Sequence, residues 1–270
     1  MFRVHLAGYY KDITNQAVAV DYIGYDESPS YTIPEPLNIE DIRGIDFRIS
    51  KDIGNWVRGW VNYDYRVRTY GQTGKQTHYQ SLLDDATQGA WDTLERAPRA
   101  QPALEANIRF ITPEDMGVLL GNISLSFNYS WEAGYYQTYD PLHTDPNDPQ
   151  RKFLNMQWKP WKNVQARIQK GISFAGTNLS VFAEVNNLFD WKYLDTGSGS
   201  FVNDDDEDSY FSSLHLPLYA EEGYEELGEA GDDQFGDISS EDKPYIDDPE
   251  LTHLAFHNPR SFVFGVKVGF

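Results

Sequence analysis

From Arg260 to the end of the chain every second side chain is apolar. Phe262, Phe264, Val266, Val268 and Phe270 fall on one face of an extended strand, and Ser261, Gly265, Lys267 and Gly269 fall on the other. Only Val263 breaks the pattern. A strand with one apolar face and one small or charged face suits a transmembrane barrel, where lipid touches one side and the lumen the other. Its length also fits, because a tilted strand crosses the hydrocarbon in about 9–11 residues. The same signature belongs to an amphipathic strand of a soluble sandwich, so this segment alone leaves both open.

The pattern recurs along the chain. Ile123, Leu125, Phe127, Tyr129 and Trp131 alternate with Asn122, Ser124, Ser126, Asn128, Ser130 and Glu132. Val57, Val61, Tyr63, Tyr65 and Val67 alternate with Arg58, Asn62, Asp64, Arg66 and Arg68, and a face carrying those charges must be wet. Val164, Ala166, Ile168, Ile172 and Phe174 form one row, with Gln165, Arg167, Gln169 and Ser173 opposite. Leu179, Val181, Ala183 and Val185 form another, with Ser180, Phe182, Glu184 and Asn186 opposite. Weaker versions at residues 2–10, 43–49 and 104–110 bring the total to about eight strands.

The connections alternate in length. Short ones at residues 51–55, 112–117 and 175–178 carry Gly, Pro or Asn and suit tight turns. Long ones run over residues 12–40, 71–102, 136–163 and 191–258. Short turns at one end and long loops at the other are the organisation of an outer-membrane barrel, with the short turns periplasmic. The expected fold is therefore all-β, an antiparallel transmembrane barrel or part of one.

Composition agrees. Cysteine is absent, which removes disulfides and thiolate metal sites. The 18 Tyr and 7 Trp could supply girdles at two membrane interfaces. No run of about 18 apolar residues exists, and a negative mean hydropathy is compatible with a barrel, whose signal is hidden in alternation. Met1 leads directly into the first candidate strand without a signal peptide, so the chain is expected to be a fragment of a longer protein.

The net charge of -20 is concentrated, since 18 of the 42 acidic residues fall within residues 203–250. That stretch is expected to be a solvated, self-repelling part of the long acidic external loop at residues 191–258. Calcium is the sharper alternative, with Asp204, Asp206 and Asp208 as candidate ligands. Against it, Ser209 stands where a calcium hand needs Gly, and His215 where it needs the bidentate Glu.

Several motifs resemble those of one family. Asn187-Leu188-Phe189-Asp190, followed by Tyr193, resembles the N-L-F-(D/N)-x-x-Y element near the end of TonB-dependent outer-membrane receptors. Pro259-Arg260 leading to Phe264-Gly265-Val266 and a terminal Phe270 is similar to that family's last strand. Gly44-Ile45-Asp46 and Gly59-Trp60-Val61-Asn62-Tyr63 resemble two of its recurrent strands. Gly231-Asp232-Asp233-Gln234-Phe235-Gly236-Asp237, with Asp242-Lys243-Pro244-Tyr245-Ile246-Asp247, looks like the subgroup that carries an N-terminal carboxypeptidase-regulatory-like domain.

The resemblance implies the C-terminal part of a barrel of about 22 strands in the outer membrane of a Gram-negative cell. It implies active import of a scarce solute, a siderophore, a glycan or similar, energised through TonB acting on an N-terminal part. This sequence lacks the signal peptide, TonB box and plug. It would contribute barrel wall, external loops and an insertion signal, with Phe264, Val266, Val268 and Phe270 read by the β-barrel assembly machinery. Asn187 to Asp190, read from the residues, form a strand-end turn that satisfies backbone groups.

Metal-protease, phosphate-loop, dinucleotide and nucleophile-elbow motifs are absent, the six histidines are scattered, and enzymatic activity is not expected. Nucleic-acid binding is disfavoured by the acidity. The arginines on the wet faces, Arg58, Arg66, Arg68, Arg109 and Arg167, are expected to pair with Asp64, Glu132 and Glu184 rather than wait for an anionic solute. Tyr70, Trp91, Tyr135, Tyr136 and Tyr139 are candidate solute contacts, with interface girdling as the alternative role. A complete small barrel acting as adhesin or structural anchor, and a soluble sandwich that binds carbohydrate, are the competing functional readings.

Overall fold

Alternating β-branched and aromatic side chains favour pleated backbone, and the segments that carry this alternation form eight long strands. The computed structural model describes residues 1–24, 30–72, 77–79, 99–142, 155–174, 177–194, 210–211, 213–237 and 256–269. The long strands are β1 (Arg3–Ile23), β2 (Ser30–Lys51), β3 (Val57–Gln72), β4 (Ala103–Ile111), β5 (Ile123–Glu132), β6 (Trp161–Phe174), β7 (Thr177–Asn186) and β8 (Ser261–Gly269). Each pairs antiparallel with the next, so chain order and spatial order coincide. Two short strands complete this ten-stranded sheet, Thr77–Tyr79 parallel to the end of β1 and Arg99–Ala100 beside β3. The sheet does not close, because β1 and β8 are not paired with each other.

Register places the apolar rows side by side. Val4 lies opposite Ile49, and Ile49 opposite Val61. Val61 is opposite Ala106, which faces Tyr129, which faces Val164. Further on, Ile168 is opposite Ala183 and Ala183 opposite Phe264. One face is thus apolar across all eight strands, and it is uncovered: Phe264 is 76% exposed and Val266 63%. Burying one such side chain is worth about 1.5–3 kcal/mol. Summed over the face this is on the order of tens of kcal/mol, against a net stability of about 5–15 kcal/mol for a typical domain. The apolar area left uncovered is therefore large on the scale of a domain's stability.

The core lies elsewhere, at the end of the sheet where β5 stops and β6 begins. Met156, Trp158, Leu194, Tyr210, Phe211, Leu214, Leu216, Leu218, Tyr219, Tyr224 and Phe235 form one buried cluster built from connections. The expectation of a solvated loop over the acidic stretch is therefore corrected for residues 213–237. Glu221, Glu222, Glu225, Glu226, Glu229 and Asp232 are exposed, Asp233 is buried and accepts from the N–H of His215 at 2.7 Å, and Leu214, Leu216 and Phe235 are fully buried. We call this folded segment the cap.

Two connections also differ from expectation. Most of the supposed long loop at residues 12–40 is strand, because β1 runs to Ile23 and β2 starts at Ser30. There the backbone ladder is reinforced by stacking of Tyr22 on Tyr31 at 5.3 Å and by a 2.6 Å bond from Thr32 to Asp21, without an apolar alternation to announce it. A bulge around Asn15, whose φ is +57°, bends β1 midway. The turn expected at residues 112–117 is larger and contains a 3-10 turn, Glu114–Met116, and a helical turn, Gly117–Leu120. Residues 51–55 connect β2 to β3 as expected, and β6 and β7 meet at the pair Phe174 and Thr177. Among the described residues no helix is long and apolar enough to cross a membrane.

Candidate functional site

The second face of the sheet is polar, and its side chains bond along a row across the strands. Asn107 of β4 donates to Asn128 of β5 at 2.6 Å, Asn128 donates to Gln165 of β6 at 3.2 Å, and Gln165 donates to Glu184 of β7 at 2.6 Å. Arg167 closes the row on Glu184 at 3.1 Å. Arg66 pairs with Glu132 at 3.1 Å, Arg68 with the buried Glu40, and Arg58 donates to the carbonyl of Gly54 at 2.8 Å. The pairing expected for Arg66 and Arg167 is present. Arg66, Arg68 and Arg167 are thus matched by carboxylates, whereas Arg58 is held by a carbonyl and lies opposite Arg109 in the register.

At the loop end of this face the strands give way to a clamp. Asn187 is fully buried at a φ of +52°, a conformation that Asn tolerates better than other side chains. Its side-chain amide donates to the carbonyls of Trp191 and Asn258, both at 2.8 Å, and its side-chain oxygen accepts from the Trp191 N–H at 2.9 Å. The backbone N–H of Leu188 donates to the carbonyl of Val164 at 2.9 Å. Phe189 is exposed and lies against Trp191 at 5.1 Å. Asp190, also at positive φ, faces Arg260 at 3.6 Å, one residue after Pro259. The phenol of Tyr193 accepts from the N–H of Lys162 and donates to its carbonyl, at 3.0 and 2.9 Å. Burial pushes the Tyr193 phenol above its usual pKa, more than this hydrogen bonding lowers it. Strand residues Tyr193–Leu194 and Phe256–His257 then pair as a neck. The residues expected to form a strand-end turn do so, and the two motif fragments meet.

Beside the clamp lies a cleft of about 290 Å³, lined by Gln101, Glu132, Gly134, Tyr135, Lys159 and Gly236 with the rings of Trp158, Trp161 and Tyr193. Gly134 is required there, since a Cβ would stand 1.6 Å from the Trp158 carbonyl oxygen. Trp158 stacks on Tyr135 at 5.3 Å and donates from its indole to Gln137 at 2.7 Å. The cap is fastened to this wall. Phe235 packs edge-on to Trp158, its carbonyl accepts from the N–H of Lys159 at 2.7 Å, and Lys159 pairs with Asp237 at 3.0 Å. Aromatic faces with a polar rim can hold a solute that has both a flat carbon-rich side and hydroxyl or amide groups.

Of the candidate solute contacts, Tyr135 lines this cleft and is 43% exposed. Tyr136 lies under the Arg99 guanidinium at 5.0 Å, and Tyr139 packs on the cap core with its hydroxyl 3.4 Å from that of Tyr219. Tyr70 is near the end of β3, where only its backbone is described; Trp91 lies outside the described residues. Asp204, Asp206 and Asp208 also lie outside them, and among the described residues no group of three or more His, Asp or Glu is arranged to hold a metal. Phe264, Val266 and Val268 stand on the apolar face of β8, and Phe270 lies outside the described residues. Trp158, Trp161 and Gly134 were not singled out by sequence. Two tryptophans flanking Lys159-Pro160 at the start of an alternating strand were the available signal. No protein-family model, curated protein or solved structure matches the chain.

Proposed function

We propose that this chain is the C-terminal part of a TonB-dependent outer-membrane receptor, a β-barrel that imports a scarce solute such as a siderophore or glycan. The chain supplies barrel wall, external loops and the strand that the assembly machinery reads. The observation that carries this reading is the division of one eight-stranded meander into an uncovered apolar face and a hydrogen-bonded polar face, with β1 and β8 not paired to each other. Lipid is the neighbour that fits the first face, and a wet lumen fits the second.

Unpaired backbone groups in hydrocarbon cost several kcal/mol each, so further strands of the same barrel continue the sheet beyond β1 and β8. The open sheet favours this larger barrel over a complete eight-stranded anchor, which needs β1 paired to β8. In this arrangement the cap and the aromatic cleft stand at the extracellular rim, where Tyr135, backed by the buried Trp158, and Trp161 meet the solute first. TonB acts through an N-terminal part of the receptor.

Topology tests the reading. In intact cells endoproteinase Glu-C is expected to cut the cap at its exposed Glu221, Glu222, Glu225 or Glu226. Glu114, in the turn between β4 and β5, is expected to be cut only after the outer membrane is opened. Recovery of the protein in the soluble fraction without detergent, or cleavage at Glu114 in intact cells, would contradict it.

A further inference from the structure

Among the described residues, the most exposed large apolar ones after the N-terminal Met1 are not on the sheet. They are in the turn between β4 and β5, where Val118 is 79% and Leu119 85% exposed, followed by Leu120 at 57%. The turn is well held. The N–H of Gly121 bonds to the carbonyl of Gly117 at 2.8 Å, the N–H of Ile123 to Thr112 Oγ1 at 2.9 Å, and the N–H of Met116 to the carbonyl of Pro113 at 3.4 Å. A turn fixed in this way presents its apolar tip persistently, and a persistent exposed apolar patch marks a contact surface.

Register sets its height. The pairing of β5 with β6 ends at Ile123 and Lys170, whereas β6 and β7 continue through Ile172 and Leu179 to Phe174 and Thr177. On the next strand Val268 lies opposite Leu179. The turn fills the step beside this extension, because the N–H of Gly171 donates to the carbonyl of Asn122 at 2.9 Å. Lys170 shares the apolar face with Ile123 and Val181, and its ammonium donates to the carbonyl of Gly121, which draws the turn toward that face. Gly117–Leu120 therefore stands level with Ile172, Leu179 and Val268, at the lower rim of the apolar face. In the neighbouring turn Trp56 is 55% exposed, and its carbonyl accepts from the N–H of Ile111 at 2.8 Å. Tryptophan is the residue type that settles at a membrane interface.

We infer that the helical turn Gly117–Leu120 is an interfacial anchor that inserts Val118, Leu119 and Leu120 into the periplasmic-side lipid boundary. It replaces the lower end of the wall where β4 and β5 stop short. The inference rests on the membrane-spanning reading of the sheet. The occupant is lipid because the turn continues an apolar face at the same depth, and because Lys170 on that face reaches toward polar groups as a snorkelling lysine does.

Leu119→Cys and, in a separate variant, Phe264→Cys provide single attachment sites for an environment-sensitive NBD probe, since the chain has no cysteine of its own. In the whole protein reconstituted in lipid vesicles, the probe at 119 is expected to emit blue-shifted light. It should be quenched more by lipids spin-labelled near the headgroup than by lipids labelled deep in the acyl chain. The probe at 264, in mid-strand, is expected to show the reverse depth preference. Quenching at 264 with water-like, unquenched emission at 119 overturns the anchor and leaves the membrane reading standing. Blue-shifted emission at 119 that no labelled lipid quenches overturns it in favour of a protein partner. No quenching at 264 overturns both.

Discussion

The side-chain amide of Asn187 donates to the carbonyl of Asn258 across 2.8 Å, tying residues that are 71 positions apart in the chain. The excursion that carries the cap leaves and rejoins the sheet at this bond. Because the same amide also holds Trp191, one buried side chain fixes both strands of the neck. The ion pair between Asp190 and Arg260 adds less, since both groups are partly exposed.

Asn187→Ala is expected to be among the most damaging substitutions at the neck. It leaves two carbonyls and an N–H of the partly buried neck without their partner, at up to about 1–3 kcal/mol for each group, and places an alanine at a positive φ. The neck should open to Glu-C at lower temperature, and the melting temperature in detergent should fall. Asn187→Gly relieves the backbone strain alone and should recover only part of the loss.

Gly265 and Phe182 face each other across β8 and β7, and a Cβ at 265 would stand 2.3 Å from the phenyl ring. The ring lies under the Arg167 guanidinium at 4.0 Å, which explains an aromatic in an otherwise polar row. Gly265→Ala is expected to displace the ring and weaken the contact with Arg167. Adding Phe182→Ala should make the change at 265 nearly neutral, with a coupling of about 0.5–3 kcal/mol in a double-mutant cycle on thermal unfolding. Additive effects would contradict the packing.

Phe235 is fully buried between Trp158, Tyr139 and Phe211. Phe235→Ala should destabilise the cap by about 3–5 kcal/mol, exposing its acidic segment to Glu-C. Strands β3 to β7 do not depend on that core, so protease protection of the sheet should be unchanged.

Strands β3 to β8 were legible in the sequence because each has an apolar side with a polar side opposite it. Period-two contrast such as Leu125, Phe127 and Tyr129 against Ser126 and Asn128 reports both the strand and its two environments. Where β1 and β2 continue past Asp12 and Asp41, side chains such as Asp21, Thr32 and Glu35 are polar, the contrast vanishes, and an extended ladder resembles a loop. The cap was obscured for a different reason. Leu214, Leu216 and Leu218 suggest a strand, yet they are buried in a bend, a loop and the 3-10 turn Pro217–Ala220, and their partners Met156 and Trp158 are distant in sequence. Asn187 was readable as a turn residue, but its bond to Asn258 depends on a contact that only the folded neck creates.

The neck is expected to respond to alkaline pH through Tyr193. Burial raises the folded pKa of this phenol above the usual value of about 10. The unfolded chain therefore loses its proton first as pH rises. The stabilisation is fully present below the unfolded pKa and is lost progressively as pH climbs to and through the folded one. Melting followed from pH 8 upward should show a decline that begins near about 10 and is shallower in Tyr193→Phe. An equal decline in both proteins would remove Tyr193 from the account.

The most direct test of the central claim is a single-cysteine nitroxide scan of β5 from Ile123 to Glu132 in the protein in its native membrane. Accessibility to oxygen and to a water-soluble nickel reagent is measured at each position. Labels at Leu125, Phe127 and Tyr129 should favour oxygen, and labels at Ser124, Ser126, Asn128 and Ser130 should favour nickel, alternating with a period of two. Equal nickel access on both faces, or labels at Leu125, Phe127 and Tyr129 that neither reagent reaches, would contradict a lipid-facing wall.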